Sequence, residues 1–186
     1  MAEEQDQGLA SAQQGGFNYT EMDLEDCKEL ENPNPIQASL CRKGVFVLMS
    51  GNPCKVAELK ISKTGKHGSS KAAMYGYDLI TNRKYQETVP GHATLMEYVP
   101  KKFEYEVVDI SGGEITAITP EGEEKKFPFP AEQEHGQKLL AAFNENAEKG
   151  GDDAYLITVL YCQREVGNKM KANIYVESFK PAPKEA

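Results

Sequence analysis

Residues 62–68, with the sequence SKTGKHG, set a lysine between two glycines in a short polar stretch. Segments of strand-like composition flank this stretch, at 54–61 and 72–80. Gly65 and Gly68 can adopt positive φ angles at little steric cost, so they permit a tight turn between paired strands. The sequence therefore predicts a β-hairpin that carries Lys66, a flexible cation with three hydrogen-bond donors, at its exposed tip.

One chemistry for such a lysine is phosphate binding in a P-loop. That motif requires a glycine five positions before Gly65 and a serine or threonine directly after the lysine. Lys60 and His67 occupy those positions, so the P-loop is excluded. From composition alone, a lysine that is simply solvated on a surface loop stays open as the ordinary interpretation.

Composition indicates one or two small domains without a membrane segment. The chain has 186 residues, of which 27% are charged and 39% hydrophobic. No stretch approaches the roughly 18–20 apolar residues that span a bilayer, and the acidic N-terminus lacks the pattern of a signal peptide. We therefore expect a cytoplasmic protein. The cysteines lack zinc-binding spacing, which predicts free and mostly buried thiols at Cys27, Cys41, Cys54 and Cys162.

The net charge of −8 is unevenly distributed along the chain. Residues 1–35 carry nine acidic side chains and one basic, and residues 99–180 carry fifteen acidic and ten basic. Residues 36–98 carry four acidic and nine basic side chains, so the segment that contains Lys66 is a basic island. A local positive field of this kind can orient a protein on phosphate groups.

Turn signals divide the chain into four parts. We expect an acidic, largely disordered extension over 1–35, with disorder to about residue 20 and irregular structure to Pro35. A small barrel is predicted over 36–98, a second unit over 99–180, and a flexible tail over 181–186. The first barrel's predicted strands are 43–49, 54–61, 72–80 and 85–89.

The second unit reads as three strands, one helix and two strands. The strands are predicted at 103–110, 114–119, 125–127, 154–162 and 170–177. Leu139, Leu140, Phe143 and Ala147 have near-helical spacing, which predicts a helix, and the glycines at 150–151 are its expected stop signal. This order is compatible with an OB-type barrel, which commonly carries a helix between strands three and four.

The six residues from Lys63 to Gly68 resemble the hypusine loop of eukaryotic translation initiation factor 5A, a family related to archaeal initiation factor 5A and bacterial elongation factor P. Gln37 and the segments at 42–43, 53–55 and 156–160 also stand where that family has them. The resemblance implies a mainly β chain with an N-terminal SH3-like barrel and a C-terminal OB-fold with one helix. Departures are Ser69 and Ser70 after the core, a long N-terminal extension and a longer segment around Gly167.

The resemblance also implies roles for the loop residues. Lys66 would be rebuilt into hypusine by deoxyhypusine synthase, which uses spermidine, and deoxyhypusine hydroxylase, with no other cofactor and no metal. The remaining residues assigned to the loop and its RNA contacts are Lys63, Thr64, Gly65, His67, Gly68 and Lys71.

The family further implies binding to the large ribosomal subunit near its exit site, where the modified lysine would position peptidyl-tRNA. That role would promote elongation through proline-rich sequences and termination. Two alternatives stay open, a generic two-barrel RNA-binding module and an enzyme, and a homodimer is also open. The enzyme has little support, because the sequence shows no nucleophile–base pair, metal cluster or cofactor fingerprint.

Overall fold

The structure is a computed structural model that describes residues 11–63 and 70–184. In these residues the chain is mainly β, with one α-helix and two 3₁₀ turns, which confirms the predicted fold class. The strands are β1 (Ser11–Gln14), β2 (Phe17–Asp23), β3 (Asn34–Gln37), β4 (Phe46–Met49), β5 (Asn52–Lys63), β6 (Ser70–Asp78), β7 (Lys84–Pro90), β8 (Thr94–Glu97), β9 (Lys101–Ser111), β10 (Glu114–Ile118), β11 (Glu124–Pro128), β12 (Tyr155–Val166) and β13 (Lys169–Pro181). The helix α1 (Glu134–Glu148) lies between β11 and β12.

The first sheet contains six antiparallel strands in the order β3-β8-β4-β5-β6-β7 and forms the SH3-like unit. Ser50 and Gly51 join β4 to β5 with φ angles of 51° and 82°, as a two-residue type I′ hairpin requires. The inner face packs a core that includes Val47, Met49 and Met74. The hairpin of β5 and β6 has a strand on each side along part of its length, because β4 pairs with β5 and β7 pairs with β6.

The second sheet contains seven strands in the order β1-β2-β13-β12-β9-β10-β11. Its last five strands, with α1 between β11 and β12, have the order of an OB-type barrel. Leu139 from the helix packs into the same core as Ile115, Ile157 and Val159 from the strands. The helix has 15 residues, and no helix in the described residues is long and apolar enough to cross a membrane.

The prediction of disorder to about residue 20 is wrong for the described residues 11–20, and the irregular structure expected up to Pro35 is found only over residues 24–33. β1 and β2 form a hairpin, and β2 pairs with β13 from Asp23–Lys171 to Thr20–Ile174. The turn consists of Gly15 and Gly16, which both have positive φ. The strand was missed because few apolar residues are spread through a strongly acidic segment, although a Gly-Gly pair is itself a hairpin signal.

A third apolar cluster joins the two sheets. Tyr19 from β2 and Leu160 from β12 contact side chains of the SH3-like unit, among them Leu48 and Ile80. The hydroxyl of Tyr98, which is 2% exposed, donates a hydrogen bond of 3.0 Å to the carbonyl oxygen of Cys54 in β5. We call this group the interface cluster; its buried members are Tyr19, Leu48, Ile80, Tyr98, Leu160, Cys162 and Tyr175.

All four cysteines are buried and free, which confirms the expectation for the thiols. Burial raises the pKa of Cys27 to about 11 and the pKa of Cys54 to about 12. Burial also raises the pKa of Cys41 and of Cys162. Because the thiolate is the reactive form, these side chains act as small apolar core residues.

We predict that Tyr19→Ala destabilises the whole chain, since Tyr19 is 4% exposed and fills the interface cluster. The expected loss in the free energy of unfolding is about 3–5 kcal/mol, the usual cost of removing a buried aromatic ring. Urea unfolding followed by circular dichroism measures this loss. Tyr19→Phe keeps the ring and serves as the control. Equal stability of Tyr19→Ala and the unchanged chain would show that the N-terminal hairpin is not part of the folded body.

Candidate functional site

The β5–β6 hairpin carries the predicted lysine loop, and both strands extend closer to the loop than the sequence predicted. The register pairs Cys54 with Asp78 at the start of the hairpin and Lys63 with Ser70 at its end. Of the residues assigned to the loop, Lys63 and Lys71 are in strands with exposed side chains. The others lie outside the described residues: Thr64, Gly65, Lys66, His67 and Gly68.

The turn between β7 and β8 supports the loop end of the hairpin. The amide of Gly91 donates a hydrogen bond of 2.7 Å to the carbonyl oxygen of Ser70, and the carbonyl oxygen of Gly91 accepts one of 2.9 Å from the Ser39 amide. A Cβ on Gly91 would collide with the side chain of Ser70. Gly91 therefore helps to fix the point at which the chain leaves the loop. Sequence reasoning missed it, since a glycine twenty residues downstream gives no local signal of this contact.

The face of β5, β6 and β7 that points away from the core is basic. We call it the outer face; its exposed cations are Lys55, Lys60, Lys71 and Lys84. The acidic side chain on this face in the described residues is Glu58, which forms an ion pair of 3.5 Å with Lys43. Four of the nine basic residues of the island at 36–98 thus share one basic surface along the hairpin. Such a surface attracts polyanions.

A buried carboxylate ends β6 at the opposite end of the hairpin from the loop. Asp78 is 2% exposed, and its Oδ1 accepts hydrogen bonds from the amides of Ile80 (2.8 Å) and Thr81 (3.0 Å). These bonds close the turn to β7, in the manner of an aspartate that bonds to the backbone two residues on. The other oxygen of Asp78 faces the second sheet.

Arg164 of β12 compensates the charge of Asp78 across the boundary between the sheets. Its guanidinium lies 3.0 Å from Oδ2 of Asp78, with side-chain exposures of 5% and 0%. It also donates hydrogen bonds to the side-chain oxygens of Asn52 in β5 and Asn173 in β13. The centroid of the Tyr19 ring lies 5.8 Å from the guanidinium carbon. The base of the hairpin is thereby bonded to the second sheet.

The electrostatics of this cluster keep Arg164 charged. Burial alone would favour the neutral guanidine, but the carboxylate of Asp78 outweighs burial and raises the pKa of Arg164 above its ordinary value. Burying such a pair is tolerable only where the remaining donors find partners, which Asn52 and Asn173 supply for two of them.

The described residues offer little that could carry catalysis or hold a metal. The buried thiols have raised pKa values, and burial raises the pKa of Tyr175 to about 12. Among the described residues, only Asp23, Glu25 and Asp26 bring three metal-ligand atoms within 4.8 Å of one another. The ammonium of Lys171 already lies 2.6 Å from Asp23, so this acidic group is balanced by a neighbouring lysine.

Known proteins resemble this chain in both sequence and fold. Residues 32–93 match the family profile described as translation initiation factor 5A-like, N-terminal. Eukaryotic translation initiation factor 5A-2 of Saccharomyces cerevisiae is 33% identical over 150 residues, which cover 81% of this chain and 87% of that protein. Eukaryotic translation initiation factor 5A of Spodoptera exigua is 34% identical over 141 residues, covering 75% and 84%. The chain belongs to the eukaryotic translation initiation factor 5A family.

A solved structure agrees with this membership. The translation initiation factor eif-5a family protein of Naegleria fowleri superposes with a TM-score of 0.63 at 26% identity, over 81% of this chain and 99% of that chain. Membership of this family identifies the chain as a translation factor, and the relatives are named as translation factors rather than as enzymes.

We predict that Arg164→Met lowers the free energy of unfolding by about 3–5 kcal/mol, because it leaves the Asp78 carboxylate buried and uncompensated. Adding Asp78→Asn to Arg164→Met should restore much of that loss, since no charge then stays unpaired and the amide oxygen can still accept from Ile80 and Thr81. Urea unfolding of the two single variants and the double variant measures this coupling.

Arg83→Met is the matched control for this cycle. Arg83 is an exposed arginine near the base of the same hairpin, so its replacement should change stability by about 0.5 kcal/mol or less. Additive losses in the double variant would contradict a direct interaction between Arg164 and Asp78.

Proposed function

We propose that this chain is a hypusine-bearing translation factor whose modified residue is Lys66. The observation that carries the proposal is the KTGKHG sequence at residues 63–68, in a member of the initiation factor 5A family and between two strands of one hairpin. The modification would be made in two steps. Deoxyhypusine synthase would transfer the aminobutyl group of spermidine to the lysine nitrogen, which breaks a C–N bond of spermidine and releases 1,3-diaminopropane. Deoxyhypusine hydroxylase would then convert one C–H of the added chain to C–OH, with molecular oxygen as the oxidant.

The modified side chain has a physical advantage over lysine. It is about twice as long, carries two amines and gains a hydroxyl that donates and accepts hydrogen bonds. Each amine near a phosphate contributes electrostatic attraction, and the length allows entry into a groove that a protein backbone cannot enter. From the ribosomal exit site, such a side chain would reach the acceptor end of peptidyl-tRNA on the large subunit.

The proposed effect on translation is positional. When proline or another poor reactant slows peptide-bond formation, holding the tRNA end in a productive geometry lowers the entropic part of the barrier. The same positioning would assist termination. The ribosome would supply the catalysis, so the factor itself would not be an enzyme and would need no cofactor or metal. Its place of action would be the cytoplasm.

The body of the protein supports this role in two ways. The hairpin is bonded to the second sheet through Arg164 and to the β7–β8 turn through Gly91, so its direction is set by both units. The outer face supplies exposed cations, including Lys71 beside the loop, that could contact RNA phosphates. Lys63, Thr64, Gly65, His67 and Gly68 would complete the contact surface around Lys66.

Mass spectrometry of protein isolated from its native host tests the proposal. Cleavage after glutamate releases residues 59–87 as one peptide that contains Lys66 together with Lys60, Lys63, Lys71 and Lys84. We expect this peptide to be heavier by one aminobutyl group and one oxygen, with fragment ions that assign the added mass to Lys66. Unmodified protein made in bacteria without the two enzymes provides the reference mass. An unmodified Lys66 in the native protein would refute the proposal.

The outer face favours a second candidate, a generic RNA-binding module that does not depend on modification. Lys66→Arg separates the two, because arginine keeps the charge but cannot be converted to hypusine. The hypusine factor predicts loss of function in translation with the fold intact, whereas the generic module predicts that function survives. Lys63→Arg is the matched control, since it changes a lysine three residues away in the same way.

A further inference from the structure

Tyr77 has an unusual position among the aromatic residues of this chain. The sequence has seven phenylalanines and nine tyrosines, all within the described residues, and Tyr77 is the most exposed of them, at 38%. It lies on the outer face near the start of the hairpin, six residues from Lys71 along β6. At about 3.3 Å per residue, this places Tyr77 roughly 20 Å from the loop end of the strand. A ligand on Tyr77 would therefore occupy a different part of the hairpin from the loop that carries Lys66.

Two lysines flank Tyr77 on the neighbouring strands. The register pairs Tyr77 with Lys55 of β5 on one side and with Lys84 of β7 on the other. Directly opposed residues have Cβ atoms about 4.5–5.5 Å apart, so both lysines start beside the ring. The Lys55 ammonium lies 5.8 Å from the centroid of the Phe46 ring and the Lys84 ammonium lies over Tyr75, so each would swing from a neighbouring ring to meet a phosphate beside Tyr77. The described residues give no ion-pair partner to either lysine.

A second tyrosine orients the exposed ring. Tyr75 and Tyr77 lie edge to face, with ring centroids 6.2 Å apart and an interplanar angle of 87°. The Lys84 ammonium lies 4.3 Å from the centroid of the Tyr75 ring. Because Tyr75 is half-buried, its edge-to-face contact favours one orientation of the Tyr77 ring, which reduces the side-chain entropy that a ligand covering Tyr77 would have to remove.

We propose that Tyr77, between Lys55 and Lys84, is a stacking platform for an unpaired RNA base. Base faces stack on aromatic rings, and the two lysines would contact the phosphates on either side of the stacked base. A paired helix offers no free base face at such a platform, so the surface should prefer single-stranded RNA to duplex. This inference rests on the proposed RNA partner and adds to it a contact that does not involve Lys66.

The test uses the full chain, unmodified at Lys66, and a fluorescein-labelled single-stranded RNA of ten nucleotides. Fluorescence anisotropy should give an affinity for Tyr77→Val that is roughly 5- to 150-fold weaker than that of the unchanged chain. Valine suits a strand, so the urea midpoint should be unchanged. Tyr77→Phe keeps the ring and should retain the affinity.

An abasic oligonucleotide of the same length separates stacking from charge. It should bind the unchanged chain and Tyr77→Val equally, whereas Lys55→Gln should weaken binding of both the abasic and the ordinary RNA. Equal binding of the ordinary RNA by Tyr77→Val and the unchanged chain would overturn the platform, as would an absence of measurable binding to the unchanged chain. Because the protein is unmodified throughout, these outcomes are independent of whether Lys66 carries hypusine in its host.

Discussion

The ion pair between Arg164 and Asp78 is the constraint on which the relation between the two sheets depends. One carboxylate closes the turn at the base of the hairpin and also holds a guanidinium from the second sheet. Neither charge could be buried without the other, because an unpaired buried ion costs far more than the pair. The interface cluster around them excludes water and strengthens the attraction between the two charges. The orientation of the β5–β6 hairpin is thus fixed by contacts with the second sheet as well as by its own sheet.

The backbone makes a second, independent connection beside this pair. Gly51, in the turn before β5, accepts a hydrogen bond of 2.9 Å from the Glu165 amide of β12, and a Cβ on Gly51 would lie 2.6 Å from the Glu165 carbonyl oxygen. Arg164 and Glu165 are consecutive residues, so the side chain and the backbone of one short segment of β12 attach β5 and β6 to the second sheet. The proposed function is to position another molecule with one side chain carried by this hairpin. A small rotation at the base of a long hairpin moves its far end by a larger distance, so fixing the base limits that displacement.

Sequence reasoning predicted the parts of this structure that local patterns determine and missed the parts that depend on distant contacts. Alternating apolar residues and turn signals identified the hairpin, the OB-type order and the single helix. The strand at 17–23 was missed because its partner, β13, lies about 150 residues away in the sequence and the strand stands in a strongly acidic segment. Arg164 and Asp78 gave no signal either, since a charged residue in a strand is ordinarily solvated. For the site, Lys66 was chosen on its motif, whereas Gly91 and Tyr77 became visible only through pairing and exposure.

Peptide-bond formation at consecutive prolines, measured on ribosomes in a reconstituted translation system, tests the central claim most directly. Three forms of the protein would be compared: the chain modified by the two hypusine enzymes, the same chain unmodified, and Lys66→Arg treated with the enzymes. The account predicts that only the modified chain accelerates the slow step, while all three remain folded. If the unmodified chain and Lys66→Arg accelerated the slow step as much as the modified chain does, the central claim would be contradicted, because the lysines of the outer face would then be sufficient without hypusine.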